Sequence, residues 1–247
     1  MSNKKSKENH SKFPIIAIGV VLALTFIGVW WINSRPASPR PVGNSVGNSP
    51  TQTSQGPNQA LLSAPKGANP PSFLGSETAP VVIEEFADYQ CGACANAAPI
   101  LKEITSLYGN RIKFVYRNFP LQTMDKSYDA SLAVEAAGLQ DRNKFWQMQS
   151  QIFRNQSVWA RSAEYKSLFE EYAKLIGLDI ERFKADVAGM AAKSRVDADL
   201  QRGRSAGISS TPTVFINNVQ VSYDQLNVAG LKSLIDAELE RFSPGPK

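Results

Sequence analysis

Phe86-Ala87-Asp88-Tyr89-Gln90-Cys91-Gly92-Ala93-Cys94 ends a short apolar run on two cysteines, and these are the only cysteines among 247 residues. Two thiols separated by two residues at a helix start can reach each other, either to close a small disulfide or to hold a soft metal jointly. Free N–H groups and the macrodipole at a helix start favour a negative sulfur, so Cys91 is the thiol expected to attack and Cys94 the one expected to resolve. Upstream, Val81-Val82-Ile83-Glu84-Glu85-Phe86-Ala87 reads as a buried strand, β-branched and bounded by Pro80. Downstream, Ile100, Leu101, Ile104, Leu107 and Tyr108 recur at helical spacing before a stop at Gly109-Asn110, with Pro99 inside and expected to kink the helix. Arg111 to Arg117 alternates as a second strand. The strand-helix-strand unit puts both cysteines at the carboxyl end of its first strand, the edge where open α/β sheets hold reaction sites.

After Pro120 the pattern turns helical until about residue 205. Ala130–Ala137, Lys144–Phe153, Tyr165–Ile176 and one long stretch from Ile180 to about Arg204 show apolar residues at three- and four-residue steps, with Gly138, Gly177 and Gly207 as ends or breaks. Phe145, Trp146, Met148 and Phe153 read as the core of this helical part. Strands return at Thr213–Ile216 and Val219–Val221 around Asn217-Asn218, a pair tolerant of the left-handed conformation a two-residue hairpin needs. A last amphipathic helix uses Val228, Leu231, Leu234, Ile235, Leu239 and Phe242.

The first third differs in kind. Residues 1–12 carry Lys4, Lys5, Lys7 and Lys12 and are expected to be a cytoplasmic tail; residues 13–32 carry no charge and close on Trp30-Trp31-Ile32. A run of about 20 apolar residues spans a bilayer as a helix, and the lysines before it outnumber the arginines soon after it, Arg35 and Arg40. We therefore expect a single-pass signal-anchor in a bacterial cell membrane, amino terminus inside and the remainder on the periplasmic or extracellular side; a cleaved signal peptide is the rival. Residues 33–76 are rich in Pro, Gly, Ser, Asn, Gln and Thr and read as a flexible linker. Residues 1–76 hold seven Lys/Arg and one acidic residue, which leaves twenty Lys/Arg against twenty-one Asp/Glu in 77–247. The folded part therefore has no electrostatic footprint for nucleic acid.

Four stretches resemble the DsbA-like thiol-disulfide oxidoreductases of the thioredoxin superfamily: Glu85–Cys91, Phe114–Leu121, Lys144–Met148 and Gly207–Asn217. The resemblance covers about residues 77–243 and implies an α/β thioredoxin-like fold over 77–247 with a helical insertion at about 120–205. It also implies Cys91 as nucleophile, Cys94 as resolving thiol, Pro212 as a cis-proline opposite them, Thr211 as the backbone on which a client peptide lies, and Glu85 as a buried acid that moves the proton of Cys94. A cis X-Pro bond exposes the preceding backbone for strand-like pairing, and a desolvated carboxylate has a raised pKa suited to proton transfer. No cofactor beyond the redox-active Cys91–Cys94 disulfide is implied. The partners that the resemblance implies are exported client proteins with thiols or disulfides and a membrane redox partner that resets the pair.

The departure lies between the cysteines, where many strongly oxidising members place Pro-His and this chain has Gly92-Ala93. Without that histidine a weaker oxidant is expected, and oxidase, reductase and isomerase remain open. A structural disulfide, a copper- or zinc-handling pair and a non-catalytic binding module are the other readings, although the one histidine, His10, lies in the tail. One of Glu84 and Glu85 could equally face solvent at a strand end, and Arg202 with Arg204 reads as a solvated helix face.

Overall fold

The computed structural model describes residues 56–242. The expected tail, the expected span over 13–32, the first part of the expected linker and His10 lie outside the described residues. Among the described residues no helix is long and apolar enough to cross a membrane.

Five strands form one sheet: β1 (Ser72–Gly75), β2 (Val81–Ala87), β3 (Ile112–Asn118), β4 (Thr213–Ile216) and β5 (Val219–Gln220), in the order β1-β3-β2-β4-β5. β2 and β3 are parallel, joined by α2 (Gly92–Tyr108); the other pairings are antiparallel. Asn217 and Asn218 turn the β4-β5 hairpin at φ 46° and 66°, the left-handed conformation their side chains tolerate. β2 lies at the centre of the sheet, and successive side chains alternate between its faces. Val81 and Ile83 pack with Leu101 and Ile104 of α2 and with Leu231 and Ile235 of the last helix, while Phe86 points to the other face against Phe119 and Phe215. Each such side chain taken fully from water is worth roughly 1.5–3 kcal/mol, which fixes the register of β2. α2 ends at Gly109, whose φ of 51° lets its N–H close on the Thr105 carbonyl.

Between β3 and β4 the chain is helical: α3 (Ser127–Gln140), α4 (Arg142–Arg154), α5 (Gln156–Trp159), α6 (Tyr165–Leu175), α7 (Ile180–Ala188) and α8 (Met190–Ser205). Asp141 caps α4 by accepting from Asn143 N at 2.6 Å, and Asp179 caps α7 by accepting from Arg182 N at 2.9 Å. Phe145, Met148, Ile152, Trp159 and Phe169 share a core that runs on to Tyr89, Cys91 and Cys94, so the insertion packs directly behind the cysteines. The last helix, α9, spans Val228–Phe242.

Four expectations need correction. The linker does not reach residue 76, because α1 (Gln59–Ser63) and β1 are ordered elements and Leu61 is buried with Phe86 and Phe215. Its order comes from side chains elsewhere: Arg202 donates to the Pro65 carbonyl at 2.9 Å, Arg117 to Ala68 at 3.0 Å and Arg195 to Pro70 at 3.0 Å, while Asp199 accepts from Ala68 N at 2.8 Å. Nor is Ile180–Arg204 one helix, since Gly189 separates α7 from α8 in an extended conformation. Gly138 lies within α3 rather than at its end, and a Cβ there would meet the Phe145 Cβ at 3.2 Å, so it allows α3 and α4 to approach. Finally, Arg202 is no solvated residue: it donates to both oxygens of Glu84 at 2.8 Å, beside Arg117, which donates to Glu84 at 2.6 Å and to Asp199 at 2.9 Å.

Candidate active site

The carboxyl end of β2 delivers Asp88 to Gln90, and the chain turns into α2 with Cys91 as its extended N-cap residue. Cys91 N–H donates to the Asp88 carbonyl at 3.2 Å, which closes the turn. Both thiols are free; Cys94 is wholly buried, and Cys91 retains 9% exposure. The Asp88 N–H approaches Cys94 Sγ at 3.5 Å. Opposite, Cys91 Sγ lies 3.4 Å from the Thr211 carbonyl oxygen, and the Thr211–Pro212 peptide is cis. The structure thus brings Cys91, Cys94, Thr211 and Pro212 together from α2 and from the entrance to β4.

The two sulfurs are unlike electrostatically. The Cys91 thiol is pulled down to about 5, chiefly by the hydrogen bond from the Cys94 thiol, aided by the Thr211 side chain and the Cys94 and Ala93 backbone N–H groups against a desolvation penalty. Cys94 is pushed up, first by serving as donor to Cys91, then by burial and by the nearby Glu85 carboxylate. One sulfur is therefore a thiolate at neutral pH and the other keeps its proton.

Glu85 does not face solvent. It shares a β2 face with Ile83 and Ala87, is 3% exposed, and its Oε1 has no hydrogen-bond partner. Burial pushes its carboxyl up to about 8. Glu84, on the opposite face, is buried too, held by Arg117 and Arg202. Tyr89 and Tyr116 stack at 5.3 Å beside this group, both hydroxyls buried without partners.

Sequence reasoning gave no role to the residues that hold the Asp88–Cys91 turn. The buried Asp88 carboxylate accepts from Gln90 N and Leu121 N, each at 2.7 Å, and from the Ser127 hydroxyl. Gln90 donates to Asp125 at 2.9 Å and accepts from Lys126 N at 2.8 Å. From α5, Gln156 Nε2 donates to the carbonyls of Tyr89 at 2.7 Å and Cys91 at 2.9 Å. Asp88 and Gln90 were visible beside the cysteines, but the partners that hold them from outside the turn lie 33–39 residues away and carry no periodic signal.

A family model described as Thioredoxin matches residues 68–237. A probable disulfide bond formation protein D from Bacillus cereus is 30% identical over 176 residues, covering 68% of this chain and 78% of its own length. A protein named Na(+)/H(+) antiporter NhaA 1 from Mycolicibacterium vanbaalenii is 28% identical over 218 residues, covering 87% of this chain; the chain spans only 32% of that relative's length. Among solved structures, oxidised BdbD from Bacillus subtilis superposes with a TM-score of 0.61 at 25% identity, over 72% of this chain and 98% of BdbD.

Proposed function

The chain belongs to the thioredoxin family, among its DsbA-like thiol-disulfide oxidoreductases, and from that premise we propose that it oxidises exported client proteins by donating the Cys91–Cys94 disulfide. The observation that carries this reading is the pairing of a Cys91 thiol pulled down to about 5 with a buried Cys94 that keeps its proton, directly across from the Thr211–Pro212 cis peptide.

A client thiolate attacks Cys91 Sγ, the more exposed sulfur. The client–Cys91 bond forms, the Cys91–Cys94 bond breaks, and its electron pair goes to Cys94. The Cys94 thiolate is costly in its buried site, and the Glu85 carboxyl, protonated below about pH 8, supplies the proton. The client backbone lies along Thr211-Pro212, in the manner of an added strand. A second client thiolate then attacks the client sulfur of the mixed disulfide and expels Cys91, a good leaving group because its thiolate is stabilised. The client loses two electrons and gains a disulfide, and the protein ends as a Cys91 thiolate, a Cys94 thiol and a Glu85 carboxylate, which regains its proton from solvent. The same stabilisation favours the reduced protein, which supports oxidase over reductase. Helix N–H groups and Cys94 supply it in place of the histidine missing from Gly92-Ala93.

The uncharged run over 13–32 and its lysine-rich approach support a membrane-anchored protein with the catalytic domain on the periplasmic or extracellular face of a bacterial cell. A membrane redox partner resets the pair there. Incubation of the oxidised full chain with a reduced dithiol client tests the reading. The client disulfide should form as the Cys91–Cys94 disulfide is lost, and neither Cys91→Ser nor Cys94→Ser, which cannot hold that disulfide, should oxidise the client. An oxidised protein that keeps its Cys91–Cys94 disulfide and leaves the client thiols reduced contradicts it.

A further inference from the structure

Gln156 is the one side chain of the helical insertion that donates hydrogen bonds to the backbone of the cysteine turn. Its single amide nitrogen spans two carbonyls, Tyr89 O at 2.7 Å and Cys91 O at 2.9 Å, which flank the peptide leading into Cys91. The Cys91 carbonyl also accepts from Ala95 N at 3.1 Å as the first helical bond of α2, whereas Gln156 is the partner found for the Tyr89 carbonyl. Gln156 is itself held in place: α5 is anchored by the buried Trp159, whose indole N–H donates to Ile152 O at 2.7 Å and whose ring meets Phe169 edge-on at 5.2 Å.

Carbonyl oxygens of the turn that carries Cys91 bear partial negative charge, and negative charge near a sulfur opposes a thiolate. Hydrogen bonding to an amide donor offsets this charge. A peptide is also a rigid plane, so holding the Cys91 carbonyl toward α5 and α2 fixes the orientation of the Gly92 N–H and the first turn of α2, whose N–H groups face the sulfur. We infer that Gln156 is a positioning residue for the Cys91 thiolate, and that the helical insertion sets the redox poise of the pair through this one amide. The inference rests on the proposed role of Cys91 as nucleophile.

The test compares the full chain with Gln156→Met, which keeps the length and loses the donor, Gln156→Glu, which puts a carboxylate against both carbonyls, and Gln156→Lys, which restores a donor. The reduced proteins are titrated by thiolate absorbance and equilibrated with glutathione buffers, with thermal unfolding as the control. The Met variant should raise the Cys91 titration midpoint by roughly half to one pKa unit and shift the glutathione equilibrium toward the disulfide by several-fold. Glu should do more, and Lys should return the midpoint to the wild-type value or below it. Unchanged midpoint and equilibrium in Met and Glu overturn the inference. So does a Lys variant that shifts upward like Met, because that marks a packing effect rather than a donor effect. A wild-type protein with no thiolate transition below pH 7 instead sinks the nucleophile reading, whatever the Gln156 variants do.

Discussion

Replacing Glu85 by Gln should change stability in a way that depends on pH with a calculable shape. The carboxyl titrates near 4.5 in the unfolded chain and near 8 in the native state, where burial raises it and Oε1 has no partner. The native state therefore binds this proton more tightly than the unfolded one, and wild-type stability falls as pH rises between the two values. Below about pH 4 the group is protonated in both states and costs nothing. At pH 7 the penalty is the gap from 4.5, at 1.36 kcal/mol per unit, or about 3 kcal/mol; above pH 8 it levels off at about 4–5 kcal/mol. Gln cannot ionise, so Glu85→Gln removes the sloping part. The cost of burying an unpaired amide adds an offset of about 1–3 kcal/mol that does not vary with pH. Urea unfolding of reduced wild type and Glu85→Gln at pH 4, 7 and 9 reads the difference, in which the titration of Cys91 cancels. Stability of Glu85→Gln relative to wild type should rise by about 3 kcal/mol from pH 4 to pH 7 and by a further 1–2 kcal/mol to pH 9. A difference that stays flat across this range refutes the buried, raised carboxyl and with it the proton source assigned to Cys94.

Two further substitutions probe what holds the site in place. Arg117→Ala removes the donor shared by Glu84, Asp199 and the Ala68 carbonyl, and breaking a buried pair costs roughly 3–5 kcal/mol; urea unfolding should show that loss, and hydrogen exchange should speed up at Ala68. Gly203→Ala places a Cβ 2.5 Å from the Phe119 ring, which is wedged edge-on against Phe86 at 6.3 Å, so it should destabilise by about 1–3 kcal/mol despite the better helix propensity of Ala; equal or greater stability contradicts the close approach of α8 to this ring.

The elements that face a core on one side were legible in the chain. The spacing of Leu101, Ile104 and Tyr108 marked α2, and Asn217-Asn218 marked the β4-β5 turn. What escaped was order imposed from outside a segment. Residues 59–75 look like linker because their backbone is tied down by Arg117, Arg195 and Arg202, which stand 49–137 positions away along the chain. For the same reason Glu84 and Arg202 looked like surface charges: each is buried only because the other is there. The alternation of β2 could not place Glu85, since a central strand is covered on both faces and offers no solvent side. In the site, the cysteines showed themselves by local chemistry and the Thr211-Pro212 dipeptide only through the family resemblance, while Ser127 and Gln156 are ordinary polar residues whose contacts exist only once the insertion folds over the cysteine turn.

The central claim is that the pair is poised to give its disulfide away, and the equilibrium reduction potential of Cys91–Cys94 tests it most directly. Titration of the full chain against glutathione buffers, read by thiol alkylation, should place the potential between about −180 and −120 mV, the range of proteins that oxidise others. A value near about −270 mV, where a dithiol prefers to reduce its partners, would contradict the account.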